Sequence, residues 1–245
     1  MRALCFSPTG TTKKLAETIC EQWKIPLEDI TLQRKEIGDF SHGIFLAFPV
    51  YAGRMPDVMA EIVRAIKSKD APAIILANYG NRDYDDALLE AKDLLEKNGF
   101  HLLGAAAFVS EHSYSKIVAG GRPNQEDLKK AVEFAEKVSE KYHRGDDSTP
   151  AIPGNYPYRE KMMGEPEKPL TRENCVDCKR CAKHCPMGII HWDDVSVVDD
   201  GCLLCCSCVK ICPVDAKYFG EGRVSGFRKI LEEKYMEPKQ PEFFL

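Results

Sequence analysis

The sequence has no apolar run near the ~20 residues needed to cross a bilayer, and its opening MRALCFSPTG lacks the apolar stretch of a secretory signal. A soluble, cytoplasmic chain without membrane insertion is the expectation. Charge imbalance is also absent: 34 Lys and Arg against 38 Asp and Glu leave a formal net charge of −4. That offers no basic footprint for nucleic acid or for an anionic membrane surface, so neither is expected as a partner. No G-x-x-x-x-G-K-[ST] occurs, which excludes the usual nucleoside-triphosphate loop. No G-x-G-x-x-G occurs either, which counts against a built-in nicotinamide site of the usual kind. Cysteine is nearly missing from the first 174 residues, where only Cys5 and Cys20 occur.

The other nine of the 11 cysteines fall between Cys175 and Cys212. In a chain expected to lie in the cytoplasm, such a concentration reads as metal ligation and not as a disulfide framework. Two runs are visible. Cys175, Cys178, Cys181 and Cys185 precede Pro186; Cys202, Cys205, Cys208 and Cys212 precede Pro213. Each member of the second run lies 27 residues after its partner, and both runs spell C-x₂-C-x₂-C-x₃-C-P. Three closely spaced thiolates suit three irons of one [4Fe–4S] cube, and the fourth cysteine of each run suits the other cube. With such crossing, Cys175, Cys178, Cys181 and Cys212 hold one cluster and Cys202, Cys205, Cys208 and Cys185 the other. Peptide N–H groups of the loops can turn toward the cluster sulfurs. Structural zinc, the competing reading, favours paired C-x₂-C motifs, whereas these are complete quartets.

The cysteine region resembles the bacterial two-cluster ferredoxins over about residues 171–219, matching all eight cysteines and both prolines. Cys206 departs from the pattern by standing between Cys205 and Ser207, and is read as an extra, non-ligating thiol. With both quartets complete, His184 and His191 are read as surface or packing residues. Cys5 and Cys20, on an expected strand and helix, are read as small buried apolar residues.

The N-terminal two thirds alternate strand and helix. Apolar runs at Ala3–Phe6, Gly43–Phe48, Ala73–Ala77 and Leu102–Val109 predict strands, with an edge strand near Asp29–Gln33. Amphipathic stretches at about Thr11–Gln22, Asp57–Lys67, Asp83–Lys97 and Gln125–Tyr142 predict helices. Continuous apolar strands between such helices argue for an α/β unit, a parallel sheet covered on both faces. Ligands of these sheets bind beyond the carboxyl ends of the strands. After about Arg144 the chain becomes rich in proline and loses periodicity. The expected division is 1–144 for the α/β unit, 145–170 for a linker, 171–220 for the cysteine module and 221–245 for a tail. The tail is expected to include a short helix, and its Phe243, Phe244 and Leu245 to pack at a place the sequence does not reveal.

The loop after the first strand reads Ser7-Pro8-Thr9-Gly10-Thr11-Thr12 and runs straight into a helix. Hydroxyls, a permissive glycine and the free N–H groups of a helix start make a cradle for phosphate. This S/T-x-T-G-x-T arrangement resembles flavodoxins, whose FMN phosphate occupies such a loop on a five-stranded sheet of order 2-1-3-4-5. By that resemblance Ser7, Thr9, Gly10, Thr11 and Thr12 hold the phosphate. In flavodoxins the next two loops sandwich the isoalloxazine ring, so the same resemblance implies that Pro49-Val50-Tyr51-Ala52-Gly53 and Asn78-Tyr79-Gly80 flank it here, with Tyr51 and Tyr79 expected to stack on it and Gly53 and Gly80 to leave room for backbone contact. Asp83, Asp85 and Asp86 are read as a solvated first helical turn.

The whole chain looks like a flavodoxin–ferredoxin fusion of the kind found in anaerobic bacteria and archaea, with a flavodoxin-like sheet and a small α+β ferredoxin-like domain. Such a pairing joins a two-electron flavin to one-electron clusters. No general acid–base group stands out, so an electron relay serving redox partner proteins is favoured, in one chain or within a homodimer. Two alternatives stay open: an FMN-dependent reductase of a small substrate fed by the clusters, and a zinc or regulatory module on a flavodoxin-like scaffold.

Overall fold

In the computed structural model, which describes residues 1–32, 38–161 and 167–245, the chain begins with alternating strands and helices. They are β1 (Arg2–Cys5), α1 (Thr11–Trp23), β2 (Leu27–Asp29), β3 (Ile44–Pro49), α2 (Asp57–Ala65), β4 (Ala71–Tyr79), α3 (Ala87–Lys97), β5 (Phe100–Val109) and α4 (Gln125–His143). The cysteine module adds β6 (Leu170–Thr171), α5 (Arg180–Lys183), α6 (Ser207–Lys210) and β7 (Lys217–Tyr218). The tail forms α7 (Arg223–Lys234) and β8 (Glu242–Phe244). Among the described residues no helix is long and apolar enough to cross a membrane.

β1, β3, β4 and β5 are buried on both faces because helices cover both. α1 and α4 close one face, with Leu15, Ile19, Phe134 and Val138 against Phe45, Leu76 and Phe108. α2 and α3 close the other, with Met59, Val63, Leu88 and Leu95 against Leu46, Ile75 and Ala105. α4 starts firmly because the Asn124 side chain accepts from the Glu126 and Asp127 N–H groups while Asp127 accepts from Asn124 N–H.

The sheet order is β2-β1-β3-β4-β5-β8, with the first five strands parallel. The five-stranded order read from the sequence is present, and a sixth, antiparallel strand from the tail extends it. The edge strand lies earlier than expected, at Leu27–Asp29, because Asp29 turns its carboxylate to the Thr31 N–H and bends the chain away. Gln33 of that expectation lies outside the described residues. β8 pairs Phe243 with Ala106 and Phe244 with Ala105. Phe243 packs 5.3 Å from the Phe134 ring and 5.8 Å from Phe108, and Phe244 packs 6.5 Å from Tyr84. The tail thus covers an apolar strand edge that would otherwise be open to pairing.

α3 begins at Ala87, four residues later than expected, and the solvated-turn reading of the acidic residues is corrected. Asp85 has a left-handed backbone (φ 42°) and ion-pairs with Arg82 and Arg159. Asp86, only 1% exposed, accepts from the backbone N–H groups of Asn155 and Arg159, both at 2.7 Å. Its carboxyl lies below the usual range: burial alone would raise it, and these N–H donors outweigh burial. The segment 150–161 is therefore laid along α3, held also by Tyr158 on Asp93 (2.6 Å) and Lys161 on the Met55 carbonyl (2.9 Å).

Candidate iron–sulfur and flavin site

The local backbone of the cysteine module repeats with the sequence. Left-handed residues occur in pairs 27 positions apart: Asp177 and Leu204, Lys179 and Cys206, Gly188 and Asp215. Lys179 and Cys206 stand at the start of α5 and α6 with the same φ of 59°. These turns wind each run around a hollow, and the short helices carry Cys185 and Cys212 away from their own run. β6 against β7 and the bridge between Ile190 and Val198 close the two halves on each other.

Two cavities result. One is lined by Cys185, Cys202, Cys205 and Cys208 together with Met187 and Leu203. The other is lined by Cys175, Cys178, Cys181 and Cys212 together with Val176 and Val195. The thiols of each set surround open space: among the described residues no three His, Cys, Asp or Glu stand close enough to hold a single metal ion. The Cys202 sulfur accepts from Leu204 N–H (3.4 Å) and the Cys212 sulfur from Ala216 N–H (3.1 Å). Burial pushes Cys205 up to about 12 and also raises Cys202 and Cys208. Buried thiols of this kind become thiolates only beside a compensating positive charge, which the irons of a cluster provide.

Cys206 also lines the first cavity, but in the repeat it occupies the position of Lys179 and not that of a quartet cysteine. His184 bonds the Arg180 carbonyl (2.9 Å) and exposed His191 the Asp199 carboxylate (2.9 Å). Cys5 on β1 and Cys20 on α1 are buried in the core between them.

At the carboxyl end of β1, the loop Ser7–Thr12 turns into α1 through Gly10, whose φ of 83° is costly for a side-chain-bearing residue. Gly10 is also the helix cap, so no side chain of its own occupies the first N–H groups. Ser7 Oγ accepts from Lys13 N–H, and the buried Thr12 hydroxyl lies 3.0 Å from the Asn78 carboxamide. Asn78 reaches Thr11 as well (3.2 Å) and Ser110 on its other side (2.6 Å). The arrangement keeps hydroxyls and helix-start amides around one anion-sized position. Ser110, the residue after β5, was not legible in the sequence as part of this site.

Tyr51 to Arg54 is a tight turn with Ala52 and Gly53 left-handed, continuing from Pro49 and Val50. It is joined to the loop after β4: Gly53 carbonyl accepts from Asp86 N–H at 3.0 Å. A Cβ on Gly53 would lie 2.2 Å from Asp85 Oδ2, and one on Gly80 would lie 2.4 Å from the His112 ring. Both glycines thus admit a close approach of neighbouring side chains that any Cβ would block. Tyr79 is 3% exposed and packs edge-on to Tyr84 at 5.4 Å. The tail covers this loop: Asn81 donates to the carbonyls of Tyr235 (2.7 Å) and Glu237 (2.8 Å). Tyr51 turns the other way. It is covered by the cysteine module, and burial together with Cys205, Tyr114 and Cys206 nearby raises its hydroxyl well above the usual value.

Residues 169–220 match the 4Fe-4S dicluster domain family. An uncharacterized protein of Methanocaldococcus jannaschii is 26% identical over 133 residues, covering 52% of this chain and 89% of that protein. Among solved structures, the flavodoxin of Streptococcus pneumoniae TIGR4 superposes with a TM-score of 0.45 at 17% identity, covering 57% of this chain and 97% of its own. A flavodoxin from the domain Archaea gives 0.44 at 14% identity, covering 58% and 99%. Flavodoxin 2 of Bacillus cereus gives 0.44 at 16% identity, with the same coverage.

The matched module and the strand order support a redox or electron-transfer role. The chain joins a parallel α/β unit of strand order β2-β1-β3-β4-β5 to a region, residues 169–220, that matches the 4Fe-4S dicluster domain family.

Proposed function

We propose that this chain carries two [4Fe–4S] clusters and one FMN, and relays electrons between them in anaerobic cytoplasmic metabolism. The observation that carries the reading is the division of eight cysteines into two crossed sets, each around its own cavity. A cube with a thiolate at each iron fits a hollow ringed by four sulfurs, whereas zinc needs four ligands converging on one point. Ser7, Thr9, Gly10, Thr11 and Thr12 fit the FMN phosphate. When bound, FMN supplies an interface between one- and two-electron chemistry.

The chain's own residues do the positioning. Left-handed turns wrap the clusters, backbone N–H groups offset the sulfur charge, and Met187 and Leu203 seat the module beside Val50 and Tyr51. Partners in this reading are redox proteins on the outer side of the module. The test is an anaerobic preparation assayed for iron, sulfide and flavin, with an absorption spectrum. About eight irons and eight sulfides per chain, with FMN on extraction, are expected from this cluster type. Stoichiometric zinc with negligible iron would overturn the cluster reading.

A further inference from the structure

The two cysteine cavities are not equivalent in the fold. Each cavity has buried cysteines, Cys181 in one and Cys205 and Cys208 in the other, but only around the second-run cavity do lining residues, Met187 and Leu203, pack on the core that carries Val50, Tyr51 and Ala119. The next residues pin this side down. Lys210, two positions after Cys208, ion-pairs with Glu111 of the loop after β5 at 2.5 Å, with side chains only 20% and 23% exposed. Glu111 also accepts from Gly121 N–H (3.1 Å). Behind it, His112 and Tyr114 pack on Phe227 of α7, and Ser115 Oγ donates to Glu232 at 2.7 Å. The second-run cavity thus lies on the side of the module that meets the carboxyl edge of the sheet. The first-run cavity faces outward: Cys178 is exposed, and Val176, which lines it, is 60% exposed.

From this asymmetry we propose that the clusters work in series, with the one held by Cys175, Cys178, Cys181 and Cys212 as the outer port and the one held by Cys185, Cys202, Cys205 and Cys208 as the inner station. This rests on the two-cluster reading above. A reduced one-electron carrier protein gives one electron to the outer cluster and is itself oxidised. The electron then passes to the inner cluster, beside the Tyr51 loop, and the outer cluster returns to its oxidised state. No bond is made or broken and no proton is required. The port is the outer cluster because electron tunnelling needs close approach, and of the eight ligand cysteines Cys178 of that set is the most open, exposed where Cys185 and Cys202 of the inner set are half-buried.

The order is readable from accessibility, without any turnover. The anaerobic, fully loaded chain is treated with ferricyanide, a charged small oxidant that attacks exposed clusters. Freed thiols are then alkylated with iodoacetamide and located by peptide mass spectrometry as iron is lost. The expected result is label on Cys175, Cys178, Cys181 and Cys212 while about four irons remain, with Cys185, Cys202, Cys205 and Cys208 unlabelled until those irons leave. Glu111→Gln, which removes the pin without touching either run, is expected to keep full iron and to bring labelling of the inner set forward toward that of the outer set. Equal labelling of both sets at every stage, or inner-set labelling first, overturns the series arrangement while leaving two clusters in place. A chain lacking iron from the start overturns the two-cluster reading itself, and the two failures are thereby separate.

Discussion

Cys206 illustrates what a single position decides in this chain. Adjacent to Cys205, it has the chemistry of a ligand, yet its left-handed backbone repeats Lys179, and the crossing set beside it is complete without it. Cys206→Ser is therefore expected to leave iron content and the cluster spectrum unchanged. Cys212→Ser, by contrast, is expected to damage the cluster of the first run, seen as loss of about half the iron, because Cys212 lines the cavity of Cys175, Cys178 and Cys181. A cysteine pattern makes this legible in advance, since the spacing itself carries the geometry. The phosphate loop is legible only in part. Its hydroxyls can be read, but their organiser Asn78 bonds Thr12 across 66 positions. Replacing Thr9 and Thr12 by Val removes two donors to a charged phosphate, each worth about 1.5–3 kcal/mol. FMN binding measured by fluorescence titration is expected to weaken at least ~10-fold.

Among the elements, the parallel strands were readable because burial on both faces demands unbroken apolar runs, and Ile44–Pro49 and Ala71–Tyr79 lie where those runs are. β8 was not, because three residues carry no periodicity and their fate depends on the open edge of β5, more than 130 positions earlier. Phe243→Ala removes packing on Phe108 and Phe134 and is expected to cost about 2–3 kcal/mol, seen as an earlier denaturant midpoint. The segment along α3 carries a pH dependence. Asp86 has a folded-state value below its unfolded one near ~3.9, so its contribution is complete above that value. It is lost as the pH falls through the lower, folded value. Limited proteolysis with an acid-active protease is expected to begin cutting 150–161 in that acidic window, and Asp86→Asn is expected to permit the same cuts at neutral pH.

At the scale of the whole molecule, the α/β unit and the cysteine module meet through contacts that no local pattern announces. Lys210 and Glu111 are 99 positions apart, and each alone looks like an ordinary surface charge. With the module docked by this pair, by Met187 and Leu203 and by α7, electron exchange is expected to occur within one chain. Stopped-flow reduction of the clusters is expected to be followed by flavin reduction at a rate independent of protein concentration. A rate rising in proportion to concentration would mean that the modules serve separate partners.

The docking of β8 on β5 also has a bearing on how the protein is made. A ribosome releases Arg2–Cys5 first and Glu242–Phe244 much later, with all eight ligand cysteines in between. The sheet therefore stays open on one side until the cysteines have already emerged, and the polypeptide between β5 and β8 is a closed excursion anchored at both ends on the same sheet. All eight ligand cysteines are thus available to a cluster before that edge can be sealed. A chain starved of iron during synthesis is expected to leave the edge unsealed more often, and so to accumulate as aggregate through strand pairing instead of as folded apoprotein.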